Sequence, residues 1–396
     1  MNIKEQAKQL KDYVIAQRRW LHANPELSTK EFKTTGHIVS ELQKLGIEVI
    51  TFKACTGAVG IIRGKHDGKT VMLRADIDAL PINEPQTKPY ASQCSGVMHA
   101  CGHDCHTAML LGAAQILASN TDSLHGTVKL LFQMGEEIGI QSEHYVKNGS
   151  LDDVDAIFGM HVWSLLDVGT VNFEDGERMA SSDRFTITIR GEAAHGSAPN
   201  KGRDAIVAAA SVNMALQALV ARLNDPLNAL VLSVGMMNGG QRFNIIADTV
   251  ELVGTVRTFN REFRHSIPKQ ITQIASHAAA IYGCTAQVNY EFLPGPVIND
   301  HVKLNTIARN AAAKVMGENS LVPLKKMMGA EDFSVLMEKA PGVYGFLGAR
   351  NRDKGIVCSH HHPAFDIDED ILENGTAIYA QFAVDYLNAK SSATCM

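Results

Sequence analysis

Val71-Met72-Leu73-Arg74-Ala75-Asp76 reads as a short buried strand, and its surroundings set the fold class. Thr107 to Ser119 comes next as an Ala/Leu-rich helix, Thr127 to Gln133 as a second strand and Ala156 to Val162 as a third. Short apolar strands separated by helices predict an α/β layer with a mostly parallel sheet flanked by helices. Ligand sites of open α/β sheets lie outside the carboxyl ends of strands. The chemistry-bearing residues fall there: Asp76 and Asp78 after the first strand, Glu136 and Glu137 after the second, His161 after the third.

From about Asp183 the texture changes. Arg184-Phe185-Thr186-Ile187-Thr188-Ile189-Arg190 alternates with period two, the pattern of an antiparallel strand with one wet face. A helix over Asp204 to Leu223, strands over Ala229 to Met236 and Asp248 to Thr258, and a helix near Arg261 to Tyr282 complete the segment. The expectation is an inserted α+β domain of four antiparallel strands and two helices over 183–293, with Leu293-Pro294-Gly295-Pro296 as the return hinge. Residues 1–182 and 294–396 then form one discontinuous catalytic domain, consistent with a chain of 396 residues, long for a single core.

Hydrophobic residues make up 45%, charged residues 20%, and the formal net charge of −5 is spread without long blocks, which argues against nucleic acid or an anionic membrane as partner. The first twenty residues lack the continuous apolar core of a signal peptide and look like an amphipathic helix, and no segment is read as long enough to span a bilayer. The cytoplasm is the expected location. Seven scattered cysteines (55, 94, 101, 105, 284, 358 and 395) suit a reducing compartment better than a disulfide framework.

His99-Ala100-Cys101-Gly102-His103-Asp104-Cys105-His106 packs six groups able to bind a metal or move a proton into eight residues. Imidazole, thiolate and carboxylate are the mixed donor set of borderline divalent ions, so a metal site is the leading reading. Glu136 is the candidate for proton transfer. At a strand end the backbone can turn, so that one of two adjacent carboxylates binds metal while its neighbour faces the reacting water. A cysteine-nucleophile hydrolase built on Cys101 or Cys105 with His103, and a non-catalytic metal-binding protein, are the alternatives from other classes.

The set Arg74-Ala75-Asp76-Ile77-Asp78-Ala79-Leu80-Pro81, His99 to His106, Gln133-Met134-Gly135-Glu136-Glu137, Gly159-Met160-His161-Val162, Gly191-Glu192-Ala193-Ala194-His195-Gly196 and His361-His362-Pro363-Ala364-Phe365-Asp366 resembles the amidohydrolase branch of the dinuclear aminoacylase/carboxypeptidase metallopeptidases. That branch includes hippurate hydrolases, N-acetyl-diaminopimelate deacetylases and indoleacetyl-amino acid hydrolases. The six motifs run in order over nearly the whole chain.

The resemblance implies two divalent metal ions per subunit, zinc or manganese first and cobalt or nickel as further candidates. Cys101 matches a bridging ligand, His103 and His161 complete one metal, and Glu137 and His361 the other. His361 is chosen among three consecutive histidines, 360 to 362, because the family's ligand precedes the proline by two positions. Asp78 and Asp104 are candidates for groups that orient a ligand histidine, and Cys105 and His106 are read as structural. His195 matches a histidine of the inserted lid and dimerisation domain that stabilises the oxyanion and, in dimeric members, reaches the partner subunit's site. Asn244 and Arg257 lie in segments similar to those that bind the free carboxylate of the amino acid part, and Gly329-Ala330-Glu331-Asp332-Phe333 resembles a pocket-lining loop. The implied substrate is a small N-acyl amino acid, with metal-dependent carboxypeptidase or dipeptidase activity as the neighbouring alternative, and the implied assembly is a homodimer through the inserted domain. Met134-Gly135 stands where many relatives have Pro-Ala.

Overall fold

The computed structural model describes residues 2–389; Cys395 and the rest of 390–396 lie outside the described residues. Within strand His66–Asp76 the six residues from Val71 onward are all buried, as a strand covered on both faces must be. It pairs in parallel with His125–Gln133 on one side and Ala156–Asp167 on the other. Gly342–Arg350 adds a fourth parallel strand next to Ala156–Asp167. Around this parallel centre the edges are antiparallel: Ala58–Arg63 and Glu48–Thr51 close one side, the short Val171–Asn172 the other, giving seven strands in all. Helix His103–Ala118 is buried nearly all round, because helices Lys11–Ala23 and Ile371–Asn388 cover it.

The third strand runs further than its apolar pattern suggested, from Ala156 to Asp167 instead of to Val162. Its pairing with His66–Asp76 ends at Arg74↔Gly159, while pairing with Gly342–Arg350 continues through Gly348↔Trp163. His161 therefore sits inside a strand yet just beyond the end of one neighbour. That overshoot turns a mid-strand side chain into one at the carboxyl rim of the parallel sheet.

The chain separates into two units. One comprises Met1–Gly176, Ile298–Lys325 and Asp332–Met396, and the other Glu177–Val297 and Lys326–Glu331. The second unit holds a four-stranded antiparallel sheet in the order Leu230–Gly239, Thr249–Thr258, Asp183–Arg190, Thr285–Glu291. Phe185, Ile187 and Ile189 alternate inward on its Asp183–Arg190 strand. Helix Ala205–Ala218 begins where Asp204 accepts hydrogen bonds from the N–H groups of Ile206 and Val207, and Asn260 caps helix Arg261–Ala280 in the same way.

The expectation that no segment is long enough to span a bilayer is corrected. The helical run Ala205–Leu223 is long and apolar enough to cross a membrane by length and composition. Its Ala205, Ala208, Ala209, Val212, Leu216 and Leu219 recur at helical spacing and are buried in the core of the second unit, the pattern of a core helix with an apolar outer face.

Candidate metal centre

Three loops at the carboxyl rim carry the donors, and two glycines set their course. Gly102 adopts φ 93° immediately before helix His103–Ala118, and a Cβ there would stand 2.3 Å from Val162 Cγ2. Left-handed backbone and close approach both demand glycine. Gly102→Ala is therefore expected to cost about 2–4 kcal/mol, the sum of left-handed strain and overpacking, read as a lowered urea midpoint. Gly135, at φ 66°, turns the chain out of strand His125–Gln133 into the short 3-10 turn Glu136–Ile138.

Asp78 ties these loops together. Its buried carboxylate accepts from Ser28 Oγ at 2.6 Å, from His103 Nδ1 at 3.2 Å and from the backbone N–H groups of Glu136 and Glu137, each at 3.1 Å. One anion thus orients an imidazole and the turn bearing two carboxylates, and these donors outweigh burial to hold its pKa below the usual range. Asp78→Asn puts an amide N–H against donors in that cluster. The expected result is a 10–100-fold loss of hydrolysis with an unchanged circular dichroism spectrum; full activity would show that Asp78 does not aim the site.

Two groups of donors meet at Cys101: Cys101 with His103 and His161, and Cys101 with Glu137 and His361. Cys101 Sγ lies 3.4 Å from His161 Nε2, His361 Nε2 is 3.6 Å from Glu137 Oε2, and His103 Nε2 is 3.9 Å from Glu137 Oε1. Two donors on one zinc-like ion, each roughly 2.0–2.3 Å from it, stand at most about 4.4 Å apart, so the first two separations each fit a shared cation. His103 Nε2 and Glu137 Oε1 are both buried and, among the described residues, have no hydrogen-bond partner. A buried acceptor without a partner is costly unless a cation lies against it. The donor set therefore fits divalent ions.

The electrostatics point the same way. Burial, then the carboxylates of Glu137, Glu136 and Asp76, push the Cys101 thiol well above its ordinary range. Burial likewise raises Glu137 to about 7. Burial would lower His103, but Asp76 and Asp78 outweigh it and raise the imidazole to about 10. This anionic pocket is the wrong environment for a thiolate nucleophile, which needs positive neighbours. Glu136, half-buried beside these donors, has Oε2 4.0 Å from His103 Nε2.

Of the three consecutive histidines, only His361 joins a donor group. His360 bonds to Ser164 Oγ and to the Val162 carbonyl, and exposed His362 accepts from the Ala364 N–H. Asp104 departs from expectation. Its carboxylate pairs with Arg18 Nε at 2.9 Å and His22 Nδ1 at 2.8 Å, facing no candidate ligand, so it anchors the first turn of helix His103–Ala118 to helix Lys11–Ala23. Cys105 is buried beside Asp104, and His99 is buried outside both donor groups.

Sequence reasoning gave no role to two supports. Arg74 and Asp76, charges inside an apolar strand, form a buried pair at 2.7 Å, and Arg74 continues to Asp332 at 3.2 Å; a charge within such a run was the available signal. Buried Glu31, which accepts from Gly135 N–H at 2.9 Å and steadies the turn before Glu136, lies in a stretch with no readable motif.

In the second unit, exposed His195 pairs with Ile245 across a two-stranded ribbon, and the Asn244 carbonyl accepts from Gly196 N–H at 2.9 Å, so residues some fifty positions apart become neighbours. His195 Nδ1 accepts from Ser197 N–H at 3.1 Å, which leaves its proton on Nε2. Arg257 Nη1 donates to the Met328 carbonyl at 2.9 Å.

Among known proteins, the chain is 40% identical over 363 residues to an N-acetyl-L-cysteine deacetylase of Bacillus subtilis, covering 92% of this chain and 85% of that protein. It is 38% identical to thermostable carboxypeptidase 2 of Saccharolobus solfataricus, with 98% of each chain covered. A crystal structure of a dinuclear metal-binding peptidase of the M20 family from Bacillus subtilis superposes with a TM-score of 0.85 at 36% identity, covering 96% of this chain and 99% of that one. Residues 72–385 match the sequence signature of Peptidase family M20/M25/M40. With that match spanning most of its length, the chain belongs to Peptidase family M20/M25/M40 and is a hydrolase acting on amides.

Proposed function

We propose that the chain hydrolyses the amide bond of N-acyl amino acids, with two divalent cations held by Cys101, His103, Glu137, His161 and His361. The observation that carries this reading is the meeting of two donor groups at Cys101 beside the carboxylate of Glu136. Bound there, the cations supply Lewis acidity, making water acidic enough to lose a proton near neutral pH and polarising the amide carbonyl. Sulfur among the donors favours zinc, while manganese, cobalt and nickel suit the remaining nitrogen and oxygen donors.

Glu136 takes the proton of the attacking water and returns it to the leaving amine nitrogen. His195 presents Nε2–H to the developing oxyanion. In a homodimer formed through the second unit, that histidine serves the partner's site. The apolar side chains of Met214, Leu227, Met236 and Phe243, all exposed on this unit, support such an assembly. Arg257 and Asn244 hold the free carboxylate, the guanidinium through a planar fork that matches it. The substrate is thus a small molecule rather than nucleic acid or membrane. The six described cysteines all stand free, which suits work in the cytoplasm.

The test is a panel of acetyl-, benzoyl- and indoleacetyl-amino acids against dipeptides and longer peptides, using metal-reconstituted enzyme. The proposal expects N-acyl amino acids to be cleaved fastest and their carboxylate esters poorly. Faster cleavage of peptides would favour a carboxypeptidase, the activity named for the relative from Saccharolobus solfataricus.

A further inference from the structure

We propose that His106 and His360 are positioning residues that hold the Val162 backbone at its N–H and its carbonyl and thereby present the Nε2 lone pair of His161 to a cation. This rests on the proposed ligand role of His161. The Val162 backbone meets three imidazoles on its two flanking peptides: its N–H donates to His106 Nε2 at 2.9 Å, and its carbonyl accepts from His161 Nδ1 at 2.6 Å and from His360 Nε2 at 2.9 Å. A backbone N–H only donates and a carbonyl only accepts, so each contact dictates where that ring keeps its proton.

His106 must therefore be bare at Nε2. Its proton sits on Nδ1 and is donated to Asp76 Oδ1 at 2.5 Å, and Asp76 is itself held by Arg74. His106 lies within one group of potential ligands with Asp76 and His103, but both its ring nitrogens are already engaged. His360 keeps its proton on Nε2, and its Nδ1 accepts from the Ser164 hydroxyl at 2.9 Å. His161, protonated on Nδ1, has only Nε2 to offer, and that atom is the one 3.4 Å from Cys101 Sγ.

Packing repeats the arrangement. The His161 ring lies edge-on between the other two, with centroids 4.5 Å from His106 and 5.2 Å from His360. The relay from Arg74 through Asp76 and His106 to Val162 thus joins the central strand to the strand that overshoots it. A ligand imidazole is commonly fixed by one partner on its far nitrogen. Here that partner, the Val162 carbonyl, belongs to a residue whose N–H is held by His106 and whose carbonyl is held by His360.

The experiment uses the full chain loaded with cobalt(II), reading the thiolate-to-cobalt absorption and the affinity of each cation by chelator competition. His106→Asn keeps a donor for Asp76 but is too short to accept from Val162, whereas the longer amide of His106→Gln reaches that N–H. The asparagine variant should weaken one cation about 10–100-fold and alter the absorption, with the second cation changed only a few-fold. The glutamine variant should recover most of that loss. His360→Phe should weaken the same cation by less. Wild-type affinities and absorption in the asparagine variant, or equal weakening of both cations without recovery in glutamine, would overturn the proposal. Absence of thiolate-to-cobalt absorption in the unaltered protein would overturn Cys101 as a ligand, and with it the metal centre on which the role of His161 rests; it is distinguishable because it needs no variant.

Discussion

Glu136→Gln is expected to lower kcat by on the order of 10²–10⁴-fold while leaving metal content and KM near their starting values. The amide has nearly the shape of the carboxylate, and the residue's backbone N–H still donates to Asp78, so the turn that also carries Glu137 is preserved. What disappears is the capacity to accept and return a proton. Steady-state kinetics with metal analysis on the same preparation make the check. Unchanged turnover would remove Glu136 from the mechanism, and loss of metal together with turnover would make it a ligand instead of a base.

Stripping divalent ions with a chelator should abolish hydrolysis, and adding zinc, manganese or cobalt should restore it. The same pocket produces a second effect. Asp76, Asp78 and Glu137 crowd around His103 with few compensating cations, so an ion that binds only the folded chain stabilises it by about 2.7 kcal/mol when present at a hundred times its dissociation constant. Chelation should therefore lower the melting temperature by roughly 3–5 °C for each ion lost. Activity that survives exhaustive chelation would sink the metal reading and revive a thiol mechanism, against which the raised pKa of Cys101 already argues.

The parallel centre of the sheet was legible because Val71 to Asp76, Thr127 to Gln133 and Ala156 to Val162 are apolar on both faces, a pattern that burial alone imposes. Its antiparallel edges, such as Glu48–Thr51, were not, because edge strands are short and half-exposed. The helix starts read at Asp204 and near Arg261 fell at or beside the observed caps, Asp204 and Asn260, because side-chain capping is a local interaction. The end of the third strand was misplaced since Trp163 to Asp167 stay extended only through pairing with Gly342–Arg350, nearly two hundred residues away.

The same division runs through the site. Residue types and spacing sufficed to point to the octet His99 to His106 and to Glu136, Glu137 and His161 at strand ends, since such donors cluster in sequence only where chemistry offsets their burial, and the family resemblance then singled out Cys101 and His103. Which way each side chain faces depended on partners far along the chain. Asp104 turns to Arg18 and His22, Asp78 gathers both glutamates, and His361 rather than His360 or His362 lies beside Glu137 because Val162, Ser164 and Ala364 occupy the other two rings. Sequence by itself determined the donor chemistry and the layered architecture, which arise from composition and periodicity. Only the tertiary structure decided tautomer, orientation and grouping, because hydrogen bonds between distant segments choose among states that are nearly equal in energy for an isolated side chain.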